Sequence, residues 1–315
     1  MRVIILLTPA LVIAAHCPSQ ESVPGRDRSQ IAFFDPNVVQ DIHLEVAVDD
    51  LTRMRAALPE RIYVPATFRW RGLVLKRVGL RYKGNSSSRV NQSHKRSFLV
   101  KFSEFVKKQR FLGLRRVALD NGVQFGSLFS ERLITDILRD VGVRASRSNY
   151  ARVRLNGKFI GVYVNVERID REFLKRAFPN KKGVLYKVHL GGPGADLRFV
   201  GEDPAKYART FELKEGKKRA KPGDLVQLIQ GVGGRSGEAF DFRKAFDVDS
   251  FVWQMGVLLL AGAFDQYTGW GPHNYYLFHV PEVADSDVGR WHYLTWDLDV
   301  AFADKAFGNL PVIDG

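Results

Sequence analysis

Asn156-Gly157 is the strongest local instruction in the sequence. It separates Ala151-Arg152-Val153-Arg154-Leu155 from the largely apolar run Phe159 to Val166. A two-residue hairpin loop needs positive φ at both central residues, and Asn-Gly accepts this most readily. Tyr150 to Val166 is therefore predicted as a β-hairpin. A chain that holds such a hairpin beside other alternating runs builds an antiparallel sheet.

Those runs come first. Ile42 to Val48 alternates apolar and polar residues over most of its length, as a strand with one buried face does. Asp49-Asp50 then lead Leu51 to Leu58, a short predicted helix with acids at its positive end. Further strands are expected over Phe68 to Leu75, Arg77 to Tyr82 and Ser97 to Phe102, with turn chemistry at Gly84-Asn85-Ser86-Ser87-Ser88. The remainder is more helical. Ser127 to Val141 places Ile134, Ile137, Leu138 and Val141 at helical spacing before Gly142. Arg168 to Phe178, Asp224 to Gly231 and Val248 to Phe264 follow, and the last is apolar enough to be core. Val184 to Lys187 reads as a short strand, Gly191 to Gly223 as loops, and Tyr275 to His279 with Trp291 to Thr295 as a closing hairpin. The 315 residues suffice for one two-lobed domain or two small ones.

The N-terminus reads as an export leader. Arg2 precedes an apolar run from Val3 to Ala15, too short to span a bilayer but suited to a signal-peptide core. The expectation is a signal peptide over 1–16, a linker over 17–32, and a domain that begins near Phe33. Ile13-Ala14-Ala15-His16-Cys17 resembles a bacterial lipoprotein box, with His16 where a small residue is expected. Lipid anchoring through Cys17, ordinary cleavage near Ala14 or Ala15, and a buried N-terminal strand are all open. Export would place the protein in the periplasm, at the cell surface or outside the cell. No clear terminal element precedes Gly315, so the second half is expected to be truncated there.

Cys17 is the only cysteine, which excludes an intrachain disulfide and a cysteine metal site. Metal ligands would then be carboxylates, which favour magnesium or manganese. Lys and Arg number 48 against 34 acids, a net charge of +14. That balance attracts anions (nucleotide, acidic protein, nucleic acid or anionic lipid) or simply aids solubility. No nucleic-acid motif occurs, and basic and aromatic residues do not alternate as a binding platform would require.

Three constellations carry chemistry. Asp265 is followed nine residues later by Asn274 in a Gly-rich segment between a helix and a strand. A carboxylate and an amide oxygen on one loop suit phosphoryl transfer, although both residue types are also turn formers. Trp296-Asp297-Leu298-Asp299 ends a strand. If the strand continues, its two carboxylates share a face, and Asp297 reads as a magnesium ligand; Asp299 also suits the cap of a helix opening at Val300. The third is basic: Lys83-Gly84-Asn85-Ser86-Ser87, then Lys95-Arg96-Ser97-Phe98-Leu99-Val100-Lys101. Backbone N–H groups and lysines of this kind suit phosphate, and equally a solvated hairpin. Glu167, at the end of Gly161 to Val166, suits a lysine partner or a helix cap.

In order along the chain, these segments resemble the spore coat protein H (CotH) kinase family. The matching motifs are Val78-Gly79-Leu80-Arg81-Tyr82-Lys83-Gly84-Asn85-Ser86-Ser87, Lys95-Arg96-Ser97-Phe98, Gly161-Val162-Tyr163 with Glu167-Arg168-Ile169-Asp170, Leu185-Tyr186-Lys187, His273-Asn274-Tyr275-Tyr276 and Trp296-Asp297-Leu298-Asp299. They run from about residue 40 to 303. Lys83 stands where many members carry Arg, and Val280 to Gly289 reads as an insertion.

The resemblance implies an α+β, two-lobed atypical protein kinase-like fold, with a strand-rich, nucleotide-covering N-lobe over 33–182 and a more helical C-lobe over 183–315. It implies ATP and Mg2+ (or Mn2+) as cofactors and a protein substrate at the cell surface. Asp265 would be the catalytic base, and Asn274 and Asp297 would hold the metal. Glu167 would pair with the phosphate-binding lysine, for which Lys95 ranks above Lys83 and Lys101. AMP transfer, glutamate ligation and a non-catalytic coat role are the alternatives.

Overall fold

Alternation in the first half produces strands that close on one another. A computed structural model describes residues 28–84, 88–92, 95–122, 128–179, 182–235, 240–269, 271–280 and 289–302. The expected leader, most of the linker, Asn85-Ser86-Ser87, most of the insertion and the C-terminal end lie outside the described residues. Strands β1 (Gln40–Val46), β2 (Val64–Trp70), β3 (Leu73–Lys83), β4 (Ser97–Lys101), β5 (Arg116–Asp120), β6 (Ser148–Leu155) and β7 (Lys158–Val166) form a closed barrel in the order β1-β2-β3-β4-β5-β7-β6. The β1–β6 pair is parallel and the other pairs are antiparallel. Closure leaves no sheet edge with unpaired backbone groups.

Aromatic rings fill the barrel. Phe68 lies 4.8 Å from Phe111, and Phe33 lies 4.9 Å from the same ring, both edge-on. Phe33 closes helix α1 (Arg28–Phe33), so the expected linker over 17–32 ends in a helix that belongs to the core. Gln30 fixes this helix by donating to the Leu112 carbonyl at 2.6 Å.

Two hairpin turns share one geometry. Asn156 and Gly157 have φ of 50° and 80°, as the sequence predicts. Arg71 and Gly72 have φ of 44° and 79°, so the expected strand over Phe68 to Leu75 is instead a turn joining β2 to β3. Strand β5 lies in a segment that was not predicted as a strand.

A second, four-stranded antiparallel sheet has the order β11-β10-β8-β9, with β8 (Val184–Val188), β9 (Phe211–Glu215), β10 (Tyr275–Val280) and β11 (Arg290–Thr295). Strand β9 falls in the stretch expected to be loops. Strand β10 is buried on both faces. Tyr275 and Leu277 pack toward α5 (Pro222–Val232) and α7 (Val248–Leu260), while Tyr276 and Phe278 pack with α4 (Arg171–Ala177) and the barrel residues Val164 and Val166. This explains its unbroken apolar run, since period-two patterning disappears when both faces are covered. The fold is therefore mixed α+β. Helices α2 (Val48–Ala56), α3 (Ser130–Asp140) and α6 (Phe242–Ala245) complete it.

Helix α7 departs from expectation. It is apolar on every side, which predicts full burial. Among the described residues only one side packs on the protein: Gln254 and Leu258 are buried, whereas Trp253 and Leu260 are 54% and 74% exposed. Gln254 satisfies the free edge of β11, donating to the Tyr293 carbonyl at 3.0 Å and accepting from the Thr295 N–H at 3.1 Å.

Candidate active site

Where the barrel meets the second sheet, one lysine joins them. Lys83 at the end of β3 donates to Asp120 Oδ1 on β5 at 2.6 Å and to Asp297 Oδ1 at 3.1 Å. Burial alone would drive its ammonium toward neutrality. The charges of Asp120, Asp297 and Glu131 outweigh that cost and hold its pKa above the usual lysine value. Burial likewise opposes ionisation of Asp297, but Lys83 and Lys187 pull its pKa below the ordinary carboxylate value. The neighbouring acids go the other way. Burial and then Asp120 push Glu131 well up, and burial and then Asp297 push Asp299 well up. Asp297, whose ionisation its lysines favour, thus stands beside carboxyls whose ionisation burial opposes. Asp120 Oδ2 and Glu131 Oε2 are buried without a hydrogen-bond partner.

The backbone at Asp297 is not a strand. β11 ends at Thr295, and Asp297 has φ of 64°. The expectation that Asp297 and Asp299 share one strand face is therefore overturned, and no helix begins at Val300 among the described residues. Asn274 has φ of 54°. Asp and Asn enter the left-handed region at less cost than most residues, so both residues expected to hold metal sit at specialised backbone positions. Ser130 at the start of α3 donates to the Ala301 carbonyl at 2.7 Å and ties this segment to the helix that carries Glu131.

The Asp265 loop is fastened to the same place. Asn274 Nδ2 donates to the Asp265 carbonyl and to Asp265 Oδ2, each at 3.0 Å, which leaves the amide oxygen for another partner. His273 Nε2 lies 3.0 Å from Asp265 Oδ1. Burial disfavours the charged imidazole, but the Asp265 and Gly271 oxygens raise its pKa overall. Gln266 latches the loop by donating to the Trp296 and Asp297 carbonyls at 3.0 and 3.1 Å. Gly269 makes the turn possible: a Cβ there would lie 1.4 Å from the Phe264 carbonyl oxygen. Asp265, Asn274 and Asp297 are thus brought together. Their oxygens are hard donors of the kind that suit magnesium or manganese. Among the described residues no three His, Cys, Asp or Glu side chains form a ready cage. Magnesium typically uses one or two carboxylates and takes its other ligands from phosphate and water.

The other expected residues lie elsewhere. Lys95 donates to the Val162 carbonyl and sits 4.5 Å over the Tyr163 ring. Its path runs against Gly161, where φ is +127° and a Cβ would meet the lysine at 3.3 Å. Lys95 precedes β4, and Lys101 is its last residue. Lys101 pairs with Glu104 at 2.5 Å. Of the three lysines, Lys83 is the one that meets Asp297. Among the described residues, Glu167 pairs with no lysine. It accepts from Arg147 at 2.8 Å and Arg176 at 2.7 Å. Burial would raise its carboxyl, but these two guanidinium groups lower it to about 2.

Residues with no assigned role also enter the site. Asp120 and Glu131 carry no local signal beyond acids beside apolar runs. Arg168 and Lys187 lie within quoted motifs. The Arg168 guanidinium stacks 4.3 Å from the Trp296 ring, and its bond to the Tyr276 hydroxyl is long at 3.4 Å. Lys187 on β8 faces the same region: burial and then the Arg168 charge push its pKa down to about 8, against the pull of Asp297.

Comparison with known proteins gives the family. The chain is 23% identical over 229 residues to the inner spore coat protein H of Bacillus subtilis (strain 168), covering 71% of this chain and 60% of that protein. The chain thus spans about three fifths of that relative's length. The family model described as CotH kinase protein matches residues 80–307, which include Lys83, Asp120, Glu131, Asp265, Asn274 and Asp297. That match extends over most of the sequence, and the chain belongs to the CotH kinase protein family.

Proposed function

We propose that this protein is an exported, magnesium-dependent atypical protein kinase with a two-lobed arrangement, the barrel serving as the nucleotide cover. The observation that carries this reading is the Lys83–Asp297 contact between barrel and second sheet, with Asp265 and Asn274 fastened beside it. Lys83 would hold phosphate oxygens. Asp297 and the Asn274 amide oxygen would hold the divalent ion, which supplies neutralisation of phosphate charge. Asp265, the more exposed carboxylate, would orient the acceptor hydroxyl and accept its proton. The acceptor oxygen bonds to the γ-phosphorus, the bond to the bridging oxygen breaks, and ADP leaves. The acceptor class is Ser or Thr of a surface protein, in keeping with a relative named for the spore coat.

The test is ATP-dependent thermal stabilisation of the full chain, with magnesium, beside Asp297→Ala. A ligand bound by the folded state alone raises the midpoint. A rise in the wild type that the variant lacks supports the reading, and ADP formed on an added protein acceptor completes it. The name of the relative also favours a second reading, a coat component that recruits partners without catalysis. Two folded proteins that both ignore ATP would support that reading instead.

A further inference from the structure

The sheet side of the site holds two cations whose side chains make few hydrogen bonds within the protein. Among the described residues the Lys187 side chain makes no hydrogen bond and no ion pair. It sits on β8 opposite Tyr276 of β10 and is only partly exposed. Arg168 has a buried Nε without a partner and only the long bond to Tyr276. The charges closest to Lys187 include Arg168, Lys83 and Lys214, which repel it, and Asp297, which is already bonded to Lys83. Holding an ammonium such as that of Lys187 partly out of water without a partner is unfavourable, and a protein does so at the expense of its own stability. An arriving anion would remove the penalty.

We propose that Lys187 and Arg168 form an anion subsite on the sheet side of Asp297 that takes the oxygens of a polyphosphate chain. A polyphosphate would then be held from both layers, by Lys83 from the barrel and by these two residues from the other side. The inference deepens the kinase reading and rests on it for the nucleotide, though not for the anion chemistry. The depth of the lysine favours a slender ligand over the surface of a folded partner.

The probe is inorganic tripolyphosphate, which carries the phosphates without base or sugar, titrated against the full chain by thermal shift with ATP in parallel. Wild type binds both. Lys187→Met weakens tripolyphosphate by about tenfold or more, the loss expected for a charge-assisted bond. Lys187→Arg stays within about threefold, because it keeps the charge. The ligand-free midpoint of Lys187→Met equals or exceeds that of wild type, since an unpaired ammonium has been replaced by an apolar group. A lysine with a purely structural role would lower that midpoint. Arg168→Met supplies a second variant should Lys187→Met not fold. Equal affinity in wild type and Lys187→Met, or no response of the wild type to tripolyphosphate, overturns the subsite. A response to tripolyphosphate without one to ATP leaves the subsite standing and removes the nucleotide reading.

Discussion

Lys83 Nζ stands 3.1 Å from Asp297 Oδ1, although 214 residues separate them in the chain. The contact joins the last residue of a barrel strand to the segment that follows the edge strand of the second sheet. A second carboxylate, Asp120, accepts from the same ammonium at 2.6 Å. The lysine is therefore both a structural tie and, with Asp120, a barrel residue of the candidate site.

Replacing it should separate the two roles. Lys83→Met leaves Asp120 and Asp297 without their shared cation, and breaking a buried pair in this way costs about 3 kcal/mol or more. Phosphoryl transfer should fall by about a hundredfold or more, the scale for removing one preorganised charge at a transition state. Lys83→Arg should recover most of the stability and little of the transfer, because a planar fork does not occupy the position of a point charge. Urea unfolding and labelled-ATP transfer on the same samples distinguish the two effects.

The remaining lysines of the first half should matter less. Lys101 pairs with Glu104 beyond hydrogen-bonding range of the site, and Lys101→Ala should change stability by about 1 kcal/mol or less. Its ATP-dependent thermal shift should match that of wild type. A lost shift in Lys101→Ala would return this residue to the phosphate site.

Glu167 sets a stability dependence on acid. Its carboxyl titrates at about 2 in the folded protein against an ordinary 4.5, because Arg147 and Arg176 outweigh its burial. A depressed pKa contributes stability above the unfolded value, and this is lost as pH falls through the folded one. The window therefore runs from about pH 4.5 down to about pH 2, and the contribution at neutral pH is about 3 kcal/mol. Glu167→Gln should be less stable than wild type at pH 7, and the difference should shrink as pH falls through that window. Denaturant midpoints at stepped pH measure it, and a constant difference would contradict the pairing.

Gly269 tests the loop that carries Asp265. A methyl group there meets the Phe264 carbonyl, so Gly269→Ala must move the loop backbone. Transfer should fall by about tenfold or more, the sensitivity expected when a catalytic group is displaced by about an ångström. The thermal midpoint should drop only modestly, because the loop lies outside the barrel core. Collapse of the whole fold would show instead that the loop supports the core.

The sequence by itself determined the local elements and the chemical inventory. The Asn156-Gly157 turn, the alternation of β1 and the helical spacing of α3 depend on neighbours within a few residues, so they are legible in one dimension. The Arg71-Gly72 turn has the same positive φ values but was missed, because Arg is not a residue that announces such a turn. Strand β9 was hidden in a Gly- and Lys-rich stretch with little periodicity of its own. Asp265, Asn274 and Asp297 were visible as motifs, and the fold brings them together.

Only the tertiary structure decided which cation meets them. Lys83, Lys95 and Lys101 are chemically alike and all lie in or beside plausible strand signals. The register of β3, β4 and β5 places Lys83 beside Asp120, 37 residues away, while Lys95 is drawn onto the Gly161 backbone. Glu167 went to two arginines because α4 and the start of β6 surround the end of β7. Which face of α7 would find a partner was equally hidden, since all its faces are apolar. Periodicity records which residues avoid water, whereas pairing of charges depends on distances that exist only after the barrel has closed and met the second sheet.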